Sequence, residues 1–285
     1  LETLSGMVKF VKHVFILTMI IEMIGAIIYM FKFIPEFGIA KGIWISVFNA
    51  VSAFCNAGID VIGPSSLMGY ADSPLVNFTT MFLIISGGIG FIVWFDVFSV
   101  IKRIKKKEIN YNCMFSRLTL HSKLVIITTL VLIFLGAIFI LAFEYNNPLT
   151  MDNLPWGEKV MASLFQSVTT RTAGFCTISQ KGLQDATALI CILLMFVGGS
   201  PVGTAGGIKT ISLAVIFIAV VSVIKSKEDS VVFNREIPRG VIRKTLAITA
   251  VSGFIVATSL LLLLTLNGGN VLDAGYEVVS AMATV

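Results

Sequence analysis

Three short stretches of this 285-residue chain share a pattern that suits one kind of chemistry. Cys55-Asn56-Ala57-Gly58 follows the run 42–54, Arg171-Thr172-Ala173-Gly174 follows 158–170, and Ala283-Thr284-Val285 follows 274–282. Laid on one another, Asn56, Thr172 and Thr284 coincide, as do Ala57, Ala173 and Val285, while Gly58 and Gly174 stand 116 residues apart. Such stretches supply no Ser/His/Asp set, no carboxylate pair and no metal-ligand cluster. They supply backbone carbonyls, which can replace the hydration shell of a cation. Glycine tolerates the positive φ that aims successive carbonyls inward. The side chains of Asn56, Thr172 and Thr284 can brace the turn by local hydrogen bonds. On spacing alone, a re-entrant turn in a transporter of any cargo is the competing reading.

Carbonyl chemistry of this kind needs a setting without water, and the composition supplies one. Mean hydropathy is +0.94, 56% of residues are hydrophobic and 13% are charged, against about 25% in an ordinary soluble domain. Apolar runs of spanning length fall at 14–30, 78–100, 124–143, 188–223 (interrupted) and 246–266, where a crossing helix needs about 20 residues. The first run contains Glu22 and lacks a small-residue cleavage site, so it is not a signal peptide. The net charge of +5 is no sign of nucleic acid, because the basic residues cluster between apolar runs. Residues 101–107 hold five bases and 225–244 hold six, with Glu228, Asp229 and Glu236 among them. The segments 59–74 and 144–158 hold acids and no base, which places them outside and the basic segments in the cytoplasm. Cys55, Cys113, Cys176 and Cys191 form no CxxC pair and read as free thiols.

Between cytoplasmic segments the chain crosses twice, and each outer connection carries an apolar stretch too short to span. The expected architecture is an all-α membrane protein of helix–pore loop–helix repeats arranged pseudo-four-fold around an ion pathway: one repeat in 1–110, a second in 111–230, and the first helix and pore helix of another in 231–285. Three pore loops close a ring poorly, so four are expected, with a repeat before Leu1 and a half repeat after Val285. The helices after the first two pore loops share a glycine-rich feature, at Gly87-Gly88-Ile89-Gly90 and at Gly198-Gly199-Ser200-Pro201.

The second feature continues as Val202-Gly203-Thr204-Ala205-Gly206-Gly207-Ile208-Lys209. Five glycines and a proline in ten residues destabilise a helix by several kcal/mol, at about 1 per glycine and 3 for proline. A small-residue linker at mid-membrane is a plausible barrier beneath the filter; a kink that only eases packing is the plainer alternative. It is not a phosphate-binding loop, because Ile208 separates Gly207 from Lys209 and no strand precedes it. Lys209 is ionisable within a spanning segment, and either opposes passing cations or anchors the loop.

The stretches 167–175, 50–58 and 276–285 resemble the second to fourth pore loops of the Trk/Ktr/HKT superfamily of potassium transporters, and its KtrB-type bacterial membrane subunits in particular. The resemblance implies a pseudo-tetrameric pore with one filter glycine per repeat and K+ held by carbonyls near Asn56, Ala57, Thr172, Ala173, Thr284 and Val285. It further implies an intramembrane gating loop at Gly198–Gly207, a homodimer on a cytosolic nucleotide-binding regulatory ring, and a bacterial cell membrane. Sodium is implied as a coupled, stimulatory or alternative ion. Cys55 departs from the polar residue usual there. Basic segments 102–107 and 235–244 are candidates to touch the ring or anionic lipid. Arg171, shared by the family, is expected to turn from the pore and brace the loop through a glutamate or the backbone. Glu22 must be paired or face polar protein, as structure or as function. His13 and His121 read as interfacial, and the glycosylation pattern at Asn77 as coincidence. A non-conducting membrane protein or intramembrane enzyme remains the rival class, although the repeats supply no catalytic group.

Overall fold

The computed structural model describes residues 4–227 and 229–285, so Glu228 of the basic loop and residues 1–3 of the first repeat lie outside it. The order is α1 (Leu4–Phe37), α2 (Ile39–Phe54), α3 (Pro74–Gly88), α4 (Phe91–Lys105), α5 (Met114–Arg117), α6 (Leu120–Glu144), α7 (Trp156–Thr169), α8 (Asp185–Phe196), α9 (Thr210–Ile224), a two-stranded antiparallel ribbon of β1 (Val231–Val232) and β2 (Arg235–Glu236), α10 (Arg239–Asn267) and α11 (Val271–Ala283). Within α1, α6 and α10 lie stretches long and apolar enough to cross a membrane. Their outward faces carry exposed Phe15, Ile27, Phe134, Ile138, Phe254 and Leu262, a distribution suited to lipid. The helices α2, α7 and α11 are the three short stretches expected to dip without spanning.

One expected span is not continuous. The run 78–100 divides at Ile89–Gly90, and α3 and α4 meet there at 94°. Gly90 takes φ +87°, a conformation L side chains rarely adopt, and a Cβ at that position would meet the Pro201 carbonyl at 2.6 Å. The break is therefore set by the chain that fills it, residues 197–209, and not by hydropathy. The interruption expected in 188–223 does occur, between α8 and α9.

Each repeat packs around its own pore helix. In the first, Tyr29 and Phe33 of α1 stack with centroids 5.5 Å apart, Phe33 meets Tyr70 edge-on at 5.4 Å, and the Tyr29 hydroxyl bonds Thr80 Oγ1 of α3 at 2.6 Å. In the second, Ser167 Oγ on α7 donates to the Ile133 carbonyl of α6 at 2.8 Å. Between α4 and α6, Asp96 of α4 accepts from the backbone N–H and hydroxyl of Thr119, which in turn caps α6 through Ser122 N. His13 sits at that level with its ring edge-on to Phe95.

The outer ends are tied by buried polar groups. Asn77, 1% exposed, donates to the carbonyls of Tyr70, Ala71 and Ser73 and so closes the entry to α3. Glu144 at the end of α6 is fully buried; it accepts from Asn147 Nδ2 at 2.6 Å, Thr150 Oγ1 at 2.5 Å and the Gln184 N–H at 2.9 Å, joining α6 to the start of α8. Removing an acceptor while its buried donors remain costs about 1–3 kcal/mol per unmatched group. Glu144→Ala is expected to lower the thermal midpoint of the detergent-solubilised protein, with a stability loss of about 3 kcal/mol. Glu144→Gln, which keeps one acceptor oxygen, should lose less, and equal melting of the two variants would show that the network is idle.

Candidate ion pathway

The three aligned segments share a left-handed residue at the same aligned position. Asn56, Thr172 and Thr284 all lie in the left-handed region, at φ 52°, 82° and 62°. Gly58 and Gly174 lie there too, at φ 66° and 88°. Left-handed turns end helices by returning N–H groups to the last carbonyls. Ala57 N–H donates to the Ser52 carbonyl at 2.9 Å and Val285 N–H to the Ser280 carbonyl at 3.1 Å, while Gly174 N–H bonds Thr169 at 3.2 Å. Hydroxyls fix the next carbonyls outward: Thr169 Oγ1 donates to Phe175 O and Ser280 Oγ to Val285 O, both at 2.7 Å. Each of α2, α7 and α11 thus points its C-terminal, partially negative end at its own aligned segment.

The segments meet. A Cβ on Gly58 would collide with the Ala173 carbonyl and lie 3.1 Å from Gly174 Cα, and one on Gly174 would lie 3.0 Å from the Val285 carbonyl carbon. Gly174 is therefore central, between Gly58 and Val285. Burial follows this order: Thr172 and Ala173 are fully buried, whereas Cys55 and Ala57 are exposed. At the outer mouth Cys176 donates its backbone N–H to Ser66 Oγ of the neighbouring loop at 3.2 Å.

Residues 197–209 sit against all three segments. The Asn56 amide donates to Thr204 Oγ1 at 2.7 Å, and that hydroxyl donates to the Phe54 carbonyl at 2.8 Å. Gly198 lies close enough to Thr172 that a Cβ would stand 3.0 Å from its methyl group, and a Cβ on Gly206 would stand 2.6 Å from the Ala283 carbonyl. On the far side the loop fills the α3–α4 break: Ser200 N–H donates to Gly88 O at 2.8 Å, Thr204 N–H to Gly87 O at 3.2 Å, and Phe91 N–H to Val202 O at 2.9 Å. Within the loop, Val197 and Ile208 form a bridge, Gly207 takes φ 64° and a Cβ on Gly199 would press on that of Ala205.

The charged candidates separate. Arg171 is 8% exposed, and its Nη2 reaches the Gly198 carbonyl at 3.4 Å. Of the two partner types expected, the backbone is the one found; no carboxylate pairs with it among the described residues. Lys209 Nζ donates to the Ala205 carbonyl of its own loop at 2.8 Å, the anchoring arrangement of the two considered. Glu22 is buried behind the first filter segment and accepts from Cys55 Sγ at 3.8 Å. His121, with Glu236, borders an apolar groove between α6, α9 and α10 and is no part of the filter.

Sequence reasoning placed Thr204 in the loop without its link to Asn56, and it passed over Gln166, Gln180 and Tyr276. The Gln166 and Gln180 amides bond each other reciprocally at 2.8 and 3.1 Å, and the Tyr276 hydroxyl donates to Gln180 Oε1 at 2.8 Å. The available signal was an amide on a pore helix where the aligned residue of the first repeat is Ala50.

These features have counterparts in known proteins. The family profile described as "TrkH: Cation transport protein" matches residues 2–285. The chain is 36% identical over 283 residues to Ktr system potassium uptake protein B of Bacillus subtilis (strain 168), covering 99% of this chain and 61% of that protein. It is 38% identical over 248 residues to potassium/sodium uptake protein NtpJ of Enterococcus hirae, covering 87% of this chain and 52% of that one. The fold is similar to the crystal structure of the potassium transporter TrkH from Vibrio parahaemolyticus, with a TM-score of 0.69 at 14% identity, over 95% of this chain and 60% of that one. The chain thus spans 52–61% of the length of these two curated relatives. With the profile matching nearly the whole chain, the chain belongs to the TrkH family of cation transport proteins.

Proposed function

We propose that this chain supplies most of the membrane pathway of a potassium uptake protein, with backbone carbonyls near Asn56, Ala57, Thr172, Ala173, Thr284 and Val285 as the ion's ligands. The single observation that carries the reading is the convergence of three left-handed helix endings on one point. Left-handed residues also follow α4 at Lys107 and α9 at Ser226, but only the endings at Asn56, Thr172 and Thr284 bring the residues after them together. Carbonyls at such broken ends are tolerated at membrane depth where they are buried in protein or line a water-filled path. The relatives named for potassium uptake supply the ion. A sodium-carrying variant is the second reading, favoured by the relative named for both ions.

The loop 197–209 is the barrier on this reading. It stands on the α9 side of the filter and holds to it through side-chain and backbone hydrogen bonds, each worth about 1 kcal/mol net. Such a plug is held firmly enough to close the path and weakly enough to leave it. Arg171 pins its start through the Gly198 carbonyl, and Lys209 braces it internally through the Ala205 carbonyl. The exposed bases of Lys102–Lys107 and the first turns of α10 face the cytoplasm, where a nucleotide-binding regulatory ring or a second copy of the protein would act on the loop through α9 and α4.

Two outcomes test the assignment, with the protein expressed together with its natural flanking sequence. In potassium-starved cells lacking their own uptake systems, the unsubstituted protein should restore growth at low potassium. Gly174→Ser should loosen discrimination against sodium by about tenfold, because φ +88° strains any side chain and the new Cβ crowds Val285. Restored growth with unchanged discrimination would remove Gly174 from the filter. Thr204→Val keeps the shape of the loop and deletes both hydroxyl bonds to the filter. It should raise basal rubidium flux into proteoliposomes by about fivefold, the worth of roughly one hydrogen bond; flux at the unsubstituted level would mean that the loop is no barrier.

A further inference from the structure

The filter is not braced equally on all sides. Between the second and third aligned segments lies an open cavity of about 180 Å³, lined by residues of α7, α8, α11 and the loop after Gly174. One wall of it is the hydrogen-bonded set Gln166, Gln180 and Tyr276. Gln166, on α7, is 1% exposed and gives its Nε2 to Gln180 Oε1 at 2.8 Å, with Cys191 Sγ of α8 as a second acceptor at 3.7 Å. Gln180 returns its own Nε2 to Gln166 Oε1 at 3.1 Å and to the Ile178 carbonyl at 3.1 Å. From the following repeat, the Tyr276 hydroxyl on α11 donates to the same Gln180 Oε1 at 2.8 Å. One amide thus joins two pore helices.

The position of this staple decides what it controls. Three residues beyond Gln166, Thr169 holds the Phe175 carbonyl; four beyond Tyr276, Ser280 holds the Val285 carbonyl. Separation of α7 from α11 would move those two hydroxyls apart, and with them the carbonyls that flank Gly174. Among the described residues the seam between the first two segments has no such staple, because Ala50 stands where Gln166 would be and, across the seam on α7, Leu164 stands where Tyr276 would be. There the filter is held by the Asn56–Thr204 link to a movable loop. Carbonyl filters discriminate by the spacing and field of their oxygens, so a rigid seam and a movable seam do different work.

We propose that Gln180, gripped by Gln166 and Tyr276, is a specificity-positioning residue: it fixes the seam between the second and third aligned filter segments and so sets discrimination between monovalent cations of different size. The proposal rests on the ion-filter reading above. It requires the three side chains to act as a unit without any of them touching the ion.

The test measures initial uptake of potassium and sodium over a concentration range, in the full protein and in Tyr276→Phe, Gln180→Leu and the double variant. Tyr276→Phe keeps the ring and removes only the hydroxyl, so folding is preserved; thermal midpoints in detergent check this. The expected result is a three- to tenfold fall in the ratio of apparent affinities, potassium over sodium, about the worth of one buried hydrogen bond, with maximal potassium uptake retained. The double variant should lose no more than the larger single effect, because each change opens the same staple. An unchanged ratio in Tyr276→Phe and Gln180→Leu, or a proportionate fall for both ions, overturns the staple and leaves the uptake assignment standing. If the unsubstituted protein moves neither ion, both readings fall together.

Discussion

The central constraint on this molecule is the accounting of backbone carbonyls at membrane depth. A helix that crosses completely satisfies its own, but α2, α7 and α11 stop short, and α3 stops at Gly88. Each ending leaves acceptors that lipid cannot serve. The chain meets part of the demand locally, through left-handed turns that return the N–H groups of Ala57, Gly174 and Val285 to their own helices. The carbonyls beyond those turns face the point where Gly58, Gly174 and Val285 meet, and the proposed cation is the partner that completes them.

The same accounting explains why two irregular segments far apart in sequence lie against one another. The break between α3 and α4 frees the carbonyls of Gly87 and Gly88, and residues 197–209 arrive with the unpaired N–H groups of Ser200 and Thr204. Neither segment would be stable alone in the bilayer: one has too many acceptors and the other too many donors. Their docking is reciprocal, since Phe91 gives its N–H back to Val202. A plug held this way has a defined energetic character. Its hydrogen bonds are replaceable by water, so flooding the cavity costs far less than the gross bond strength, while a dry cavity holds the loop in place. Hydration and loop position are then two views of one equilibrium.

How much of this was legible depended on whether the signal lay in one segment or between two. The repeat could be read directly, because three copies of a short pattern must fold alike, and the shared left-handed conformation of Asn56, Thr172 and Thr284 is that likeness at the level of φ. The breakage of 188–223 was legible from its glycines and proline, which no helix tolerates in such number. The break of 78–100 was not, although Gly87, Gly88 and Gly90 were noted: three glycines in an apolar run are compatible with a span, and only the loop's donors turn them into a corner. Gln166, Gln180 and Tyr276 escaped for the same reason. Each is unremarkable in its own segment, and the chemistry resides in their meeting across 96 residues of sequence. Asn77 was passed over as a chance glycosylation pattern, where burial makes it the cap on three carbonyls of the preceding turn.

Arg171 brings these points to a single residue. A buried guanidinium with no carboxylate partner is costly in any protein, and beside a cation pathway its field opposes the cargo. It stands, however, where acceptors are in surplus: at the negative end of α7, beside the Gly198 carbonyl and under a loop rich in exposed backbone. Carbonyl dipoles that would otherwise lack donors stabilise the charge, and the charge in turn holds the first residue of the loop close to Thr172. Lys209 differs: it bonds the Ala205 carbonyl four residues back in its own loop and braces that loop from within. On the proposed reading Arg171 thus fastens the loop to the second aligned segment, and Lys209 stiffens the loop from within. On that reading the two differ when the loop moves: Arg171 would lose the Gly198 carbonyl, whereas Lys209, bonded to Ala205 within the same loop, would keep its partner.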